Sequence, residues 1–585
     1  MSKNLIVAVF FAFTVTACGG GGSTSAPPPP VDKSTISGTA ASGAPIVGIV
    51  NILGANGAAA SSAIGSDGSY NIDVTSLTPP YILFAEGHVT GKSVAMYSAA
   101  VAAGTVNITP ITDFILRNAL AGPAESAYAN WATSQVSAAA LTAAEANAQQ
   151  QLEPVLTAMG ISSDVDLITS PFNADQTGLD MVLEALTITY NGTVATVTNN
   201  LSGSSFTDDF TVSTDDTNGL STVDASTVDM ALIDQQAMND VWQILENLFA
   251  TSVPTVEQLN TFAPYVADDY LNSGGFTKTV ELNDFAAGNG PAIGFTMEVV
   301  IDRVMDVSGT GYQRGYWVRC FYSDSQHSDS FLTSMVFNGT NWLLYGDRSW
   351  VSAGIKAHST MFVSEVGTST FSTGYEFDMD DDMNYAYDHD ARSAIVTGPG
   401  LPASGVLFEH RYPITRFEIY GYGGVYHAVA SDTELSAVQD NAEYLFVFCP
   451  QSAADLFSGA AMCTPLYVHR DTVMKPPVLK SELNASMFVT MTTPSSHNAS
   501  VINFGGPINV NWTAPEHTTS GEVLLAWWAE NVAYQVSADP LPGATSLTLD
   551  TTGLPVPGAG EWSGIFIRTT DMYDRGFNMG WSFSY

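Results

Sequence analysis

The densest run of chemistry-bearing side chains in this chain is Asp378-Met379-Asp380-Asp381-Asp382-Met383-Asn384, followed closely by Asp388-His389-Asp390. Calcium takes several hard oxygen ligands at close spacing, and Asp378, Asp380, Asp382 and Asn384 supply them at alternate positions. The run is not an EF-hand, which needs a glycine where Met383 stands and a terminal glutamate where His389 stands. The same residues also suit an acidic strand edge, where charge discourages edge-to-edge pairing. Calcium is therefore the one cofactor the sequence suggests, and none is required. The nine histidines are scattered. No His-Glu-x-x-His, Gly-x-Ser-x-Gly, P-loop or Gly-x-Gly-x-x-Gly pattern occurs, so no catalytic residue is nominated by motif.

Four cysteines carry the remaining reactive chemistry. Cys449 and Cys463 are close enough in sequence to close a small loop in an oxidising compartment. Cys320, in the apolar run Tyr316-Trp317-Val318-Arg319-Cys320-Phe321, reads as a buried free thiol. Cys18 follows an apolar stretch, 5–15, that stands behind Lys3 and ends in Val15-Thr16-Ala17. That stretch is too short to span a bilayer comfortably and reads as a secretory signal. Val15-Thr16-Ala17-Cys18 resembles the lipobox of bacterial lipoproteins. The resemblance implies cleavage before Cys18, acylation of its thiol and new amino terminus, and anchoring to membrane lipid. Gly19 in place of an aspartate, by the same resemblance, points to the outer membrane, with its facing leaflet open.

Composition narrows the partners. Charged residues make up 13% of the chain, about half the usual share, and 18 basic against 58 acidic residues leave a net charge of −40. Such a chain repels phosphate backbones and anionic headgroups, which excludes nucleic acid and electrostatic membrane attachment.

These residues must be positioned by several units, since 585 residues exceed one core. The expected fold class is multidomain and mainly β with a helical insert: a β-sandwich, a small helical bundle, an α+β unit, then two β domains. A signal peptide (1–17) and a Gly/Pro-rich tether (18–33) come first. From 34 to 108, short alternating strands with Asn56-Gly57 and Asp67-Gly68 turns read as hairpins. Their order, with Asp67-Gly68-Ser69-Tyr70, resembles the carboxypeptidase-regulatory-like β-sandwich, a structural or interaction module in which the Asp-Gly turn does not catalyse. A helical region, 109–186, opens at Thr109-Pro110. Hairpins or linker with little burying power, and solvated Asp208 and Asp209, are expected over 187–224.

From 225 to 350 a long helix, with Met230, Ile233, Ala237, Val241, Leu245 and Leu248 on one face, precedes strands closed by Asn338-Gly339. This order resembles the nuclear-transport-factor-two-like cone. Some members of that family catalyse proton transfer in the cone, which here would fall to Asp302, Asp324, His327 or Asp347. Two β domains follow, 351–475 and 476–585. In the second, a strand ending in Trp512-Thr513-Ala514-Pro515 resembles fibronectin-type-III-like or immunoglobulin-like sandwiches. If 524–528 is a strand, Trp527 and Trp528 face opposite ways.

The functional expectation is a lipid-anchored cell-envelope protein that binds or assembles rather than catalyses, with an envelope protein or polysaccharide as partner. A glycan- or calcium-dependent adhesin is the first alternative and requires exposed aromatic side chains lined along one β face. A hydrolase or isomerase in the 225–350 unit is the second and requires an enclosed pocket with a carboxylate or histidine inside.

Overall fold

A computed structural model of the chain describes residues 34–89, 92–175, 177–212, 218–221, 225–324, 328–429, 431–497, 502–515, 518–530, 532–540, 544–558 and 560–583. The signal stretch, Cys18 and His327 lie outside these residues. The fold is multidomain and mainly β, as the alternating patterns require.

The first unit opens with two facing sheets. One orders the strands Ser69–Asp73, Thr35–Thr39 and Gly104–Thr105; the other orders Ala59–Ala63, Val47–Gly54, Tyr81–Val89 and Lys92–Ala100. Asp67 shapes its turn by accepting from Ser69 N at 3.0 Å and Ser69 Oγ at 2.6 Å, while Gly68 takes the positive φ of 79° that the turn needs. Thr109 and Thr112 cap the helix Pro110–Leu120 reciprocally, each hydroxyl accepting the other's amide.

Contrary to expectation, the 187–224 stretch buries a good deal. Ala195, Val197, Phe206, Phe210 and Leu220 join one continuous core that begins at Ile36. The reason is alternation: one face of the small sheet Leu186–Asn191, Val194–Asn199, Ser205–Asp209 packs on Phe114, with ring centroids 6.5 Å from Phe206 and 6.1 Å from Phe210. Asp208 is not solvated either. It is fully buried and accepts from Asn118 at 3.0 Å and Gln151 at 3.1 Å.

In the next unit the helix Ala225–Phe249 crosses a four-stranded antiparallel sheet, Thr296–Met305, Arg314–Ser323, Ser328–Phe337 and Trp342–Leu344. Its buried stripe is Ala231, Asp234, Met238, Val241, Leu245 and Phe249. Met230 and Ile233, expected on that stripe, stand out in solvent at 49% and 67% exposure. The 3.6-residue period holds, but the stripe's phase is set by Asp234, which turns inward to accept from Arg314 Nε at 2.7 Å and Nη2 at 2.6 Å. The side chains between this helix and the sheet are closely packed. Met238, Leu245, Phe249, Val299, Val318, Cys320 and Met335 are all at 0% exposure.

The last part is built on a seven-stranded sheet ordered Tyr426–Ala428, Ser369–Asp380, Ser352–Val363, Gly576–Phe583, Ser563–Asp571, Thr518–Ala529, Val532–Ala538. One sheet therefore runs through both stretches expected as separate β domains. The join is parallel, with residues His358 to Val363 against Gly576 to Trp581. Two cores lie against it. A five-stranded sheet containing Val406–His410 and Phe417–Ile419 covers Ile355, Ala357, Tyr375 and Phe377. A three-stranded sheet, Thr490–Thr493, Pro507–Thr513 and Ser546–Asp550, covers Met361, Val363, Ile565 and Ile567. The long strand Ser352–Val363 thus belongs to both cores.

Candidate functional site

The acidic run lies at the end of the strand Ser369–Asp380. Asp378 and Asp380 share its outer face, and burial together with the neighbouring Asp378 and Asp382 charges pushes the Asp380 carboxyl up to about 6. The chain then leaves the strand. Asp381 turns inward, fully buried, and accepts from Ala386 N at 3.1 Å, Tyr387 N at 3.0 Å and His410 Nε2 at 3.0 Å. Asn384 takes a left-handed φ of 54° to start the short helix Tyr385–Asp388. This break in direction sets Asp381 and Asn384 apart from the strand face that carries Asp378 and Asp380. Among the described residues no group of three or more His, Cys, Asp or Glu side chains could hold a metal ion. The residue that organises the region is Asp381, which the ligand spacing skips.

Cys449 and Cys463 are joined as a disulfide across 14 residues of sequence. Cys320 is a free, buried thiol whose pKa burial pushes up. The carboxylates nominated for the cone are engaged elsewhere. Asp302 takes Arg303 at 2.6 Å and Arg319 at 2.9 Å, Asp324 accepts from the Tyr322 hydroxyl at 2.9 Å, and Asp347 accepts from Ser349 N at 2.9 Å.

The most distinctive surface is one that spacing alone did not reveal: the outer face of the seven-stranded sheet. Alternation sends Trp527 into the core at 1% exposure and Trp528 out at 48%. Beside Trp528, just before the adjoining strand Ser563–Asp571, stands Trp562, the two segments being tied by Trp528 N donating to Trp562 O at 2.9 Å. Phe362, Gly580, Phe566 and Leu524 form a single cross-strand row on the same face.

Two glycines decide the shape of this face. A Cβ on Gly580 would lie 2.8 Å from Phe566 Cε1 and 3.0 Å from Phe362 Cδ2, and one on Gly564 would lie 2.8 Å from Trp562 Cζ2. Side chains on a sheet ordinarily stand up from it. Ring atoms at Cβ height mean that these rings are laid over the glycines. The result is an open aromatic floor over four adjacent strands, roughly 15 Å across at ordinary strand spacing. Its polar margin is Arg568, Asn578 and Gln535, with Arg568 held to Glu376 at 2.8 Å. A flat floor of ring faces without net charge can stack against a ligand that itself presents a flat C–H face.

No protein-family model matches the chain, and no curated protein matches it significantly. Some solved structures show a distant likeness. They include the FN1–FN3 domains of chicken CNTN1 (7% identity, 47% of this chain, 77% of that chain, TM-score 0.14). A host-cell-surface retention region of a 1.5-MDa bacterial ice-binding adhesin gives 11% identity over 51% of this chain and 98% of that chain, TM-score 0.13. A Ca2+-stabilized adhesin with which an Antarctic bacterium binds ice gives 9% identity over 94% and 98%, TM-score 0.13. Superposition at that level carries no information on fold or role.

Proposed function

We propose that this protein is a lipid-anchored, non-catalytic cell-envelope protein that holds an uncharged polysaccharide on the aromatic face of its C-terminal sheet. The observation that carries the reading is the aromatic floor laid flat by Gly564 and Gly580. A second copy of the chain is a poor occupant, because −40 charges on each partner oppose close approach. Polyanionic glycans are disfavoured for the same reason. A neutral polymer meets no such field, and its sugar rings can stack on successive indole and phenyl faces. The anchor is Cys18, in the outer membrane. No helix among the described residues is long and apolar enough to cross a membrane, a statement that leaves strands aside.

The test is co-sedimentation of the purified chain with insoluble neutral polysaccharides such as cellulose and chitin, beside an anionic one such as alginate. Binding to a neutral polymer, reduced at least fivefold in Trp528→Ala, is expected; Trp528 is half exposed, so the variant folds. Equal retention of wild type and variant, or preference for alginate, would overturn it. Palmitate labelling lost in Cys18→Ala checks the anchor separately.

A further inference from the structure

A second surface, on the outer edge of the five-stranded sheet, has a different build. Glu409 and Glu418 lie directly opposite each other on the strands Val406–His410 and Phe417–Ile419. Two like charges so placed repel. Here Arg411 settles between them, Nη1 donating to Glu409 at 3.0 Å and Nε reaching Glu418 at 3.2 Å, while Arg416 Nε donates to Glu418 at 3.0 Å. Two carboxylates and two guanidiniums make a floor that is neutral yet dense in hydrogen-bonding groups.

Aromatic walls rise on both sides. On one, Tyr412, 58% exposed, stacks on Tyr387 with centroids 4.5 Å apart and planes at 17°, and Arg392 supports Tyr387 from its other face at 3.8 Å. Asp381 holds that wall through Tyr387 N and His410. On the other, Tyr422 stands 91% exposed at the tip of the 421–424 turn, and Tyr420 packs on Phe457 at 5.5 Å. Phe457 belongs to the helix Ala453–Ser458, inside the loop that Cys449–Cys463 closes. The space between is two open clefts of about 580 and 400 Å3 that share Glu409 and Arg411.

We infer that this groove is a second binding site, and that it takes a soluble, uncharged oligosaccharide. A charged ligand would have to break an existing ion pair to reach the floor. Vicinal hydroxyls need break none, because each can donate to a carboxylate and accept from a guanidinium already in place. Ring faces exposed at Tyr412 and Tyr422 supply stacking at either end. A peptide adding as a strand is the weaker occupant. The outer edge strand is already folded over by the 421–424 turn, Ile419 N donating to Gly424 O at 2.9 Å. Only the ligand's chemical class rests on the glycan reading of the aromatic floor; the site itself does not.

The experiment is calorimetric titration of the full soluble chain with cello- and chito-oligosaccharides, run beside the polymer sedimentation. Tyr412→Ala and Tyr422→Ala, both at exposed positions, are expected to weaken oligosaccharide binding at least fivefold and leave polymer retention as it was. Trp528→Ala is expected to do the reverse. Reducing the disulfide should weaken the oligosaccharide alone, since it frees the loop carrying Phe457. Polymer retained while oligosaccharides bind equally to wild type and both tyrosine variants, or to none of them, would overturn the groove and spare the aromatic floor. Neither ligand binding at all would overturn both.

Discussion

Asp381 illustrates how much a single carboxylate can do once it is turned inward. It satisfies two backbone amides and the only ring nitrogen of His410 that finds a partner among the described residues, Nδ1 being buried without one. Asp381→Ala strands all three donors, and a cost of about 3 kcal/mol is expected in urea unfolding. Its neighbour Asp378, exposed and facing Asp380, is expected to be neutral or slightly stabilising as Asp378→Ala, because removing it relieves a like charge. The sequence shows a run of carboxylates and an alternate spacing, and both readings drawn from it treat the run as one surface. Which member points inward depends on where the strand stops, and that is fixed by its pairing with Ser352–Val363 rather than by anything within the run.

At the scale of elements, local chemistry was legible and distant pairing was not. Asn56-Gly57, Asp67-Gly68 and Asn338-Gly339 mark turns because positive φ is needed there, and Gly57, Gly68 and Gly339 adopt it. The Thr109-Pro110 helix start and the opposed faces of Trp527 and Trp528 were likewise readable from position. The parallel join of Ser352–Val363 to Gly576–Phe583 leaves no such trace, since its partners are more than 200 residues apart and each strand reads only as alternating. The aromatic floor was hidden for the same reason: Phe362 meets Gly580 and Phe566, themselves paired on adjacent antiparallel strands, only through that join. Gly580→Ala tests it. The added methyl has to displace the Phe362 and Phe566 rings, so a loss of about 1–3 kcal/mol is expected by thermal unfolding, together with weaker retention on neutral polysaccharide.

Across the whole molecule, burial sets the pH response. Burial pushes Asp113 up to about 6 and Glu184 and Glu281 up to about 7. Each binds its proton more tightly folded than unfolded, so each adds stability as pH falls from about 8 through 7 towards 5. Glu376 runs the other way. His358 and Arg568, outweighing its burial, hold it down at about 2, so its contribution is present above the ordinary glutamate range and lost as pH falls through 2. The net charge of −40 also relaxes on acidification. The melting temperature is therefore expected to peak near pH 5 rather than pH 8. His88, His427 and His469, whose pKa burial lowers, oppose this trend, so a melting temperature that falls from pH 8 to pH 5 would contradict the dominance of the buried carboxylates.

The strand Ser352–Val363 also determines how the molecule takes a pull. Its chain enters from the amino-terminal units, while most of the aromatic floor sits on the strands beside it. A pull between the amino-terminal units and the outer face of the sheet would draw this strand along its own axis past Gly576–Phe583. The hydrogen bonds between His358–Val363 and Gly576–Trp581 would then share the strain side by side, in shear, instead of parting one after another like a zip. Sharing one strand between two cores makes the carboxy-terminal half a single mechanical piece.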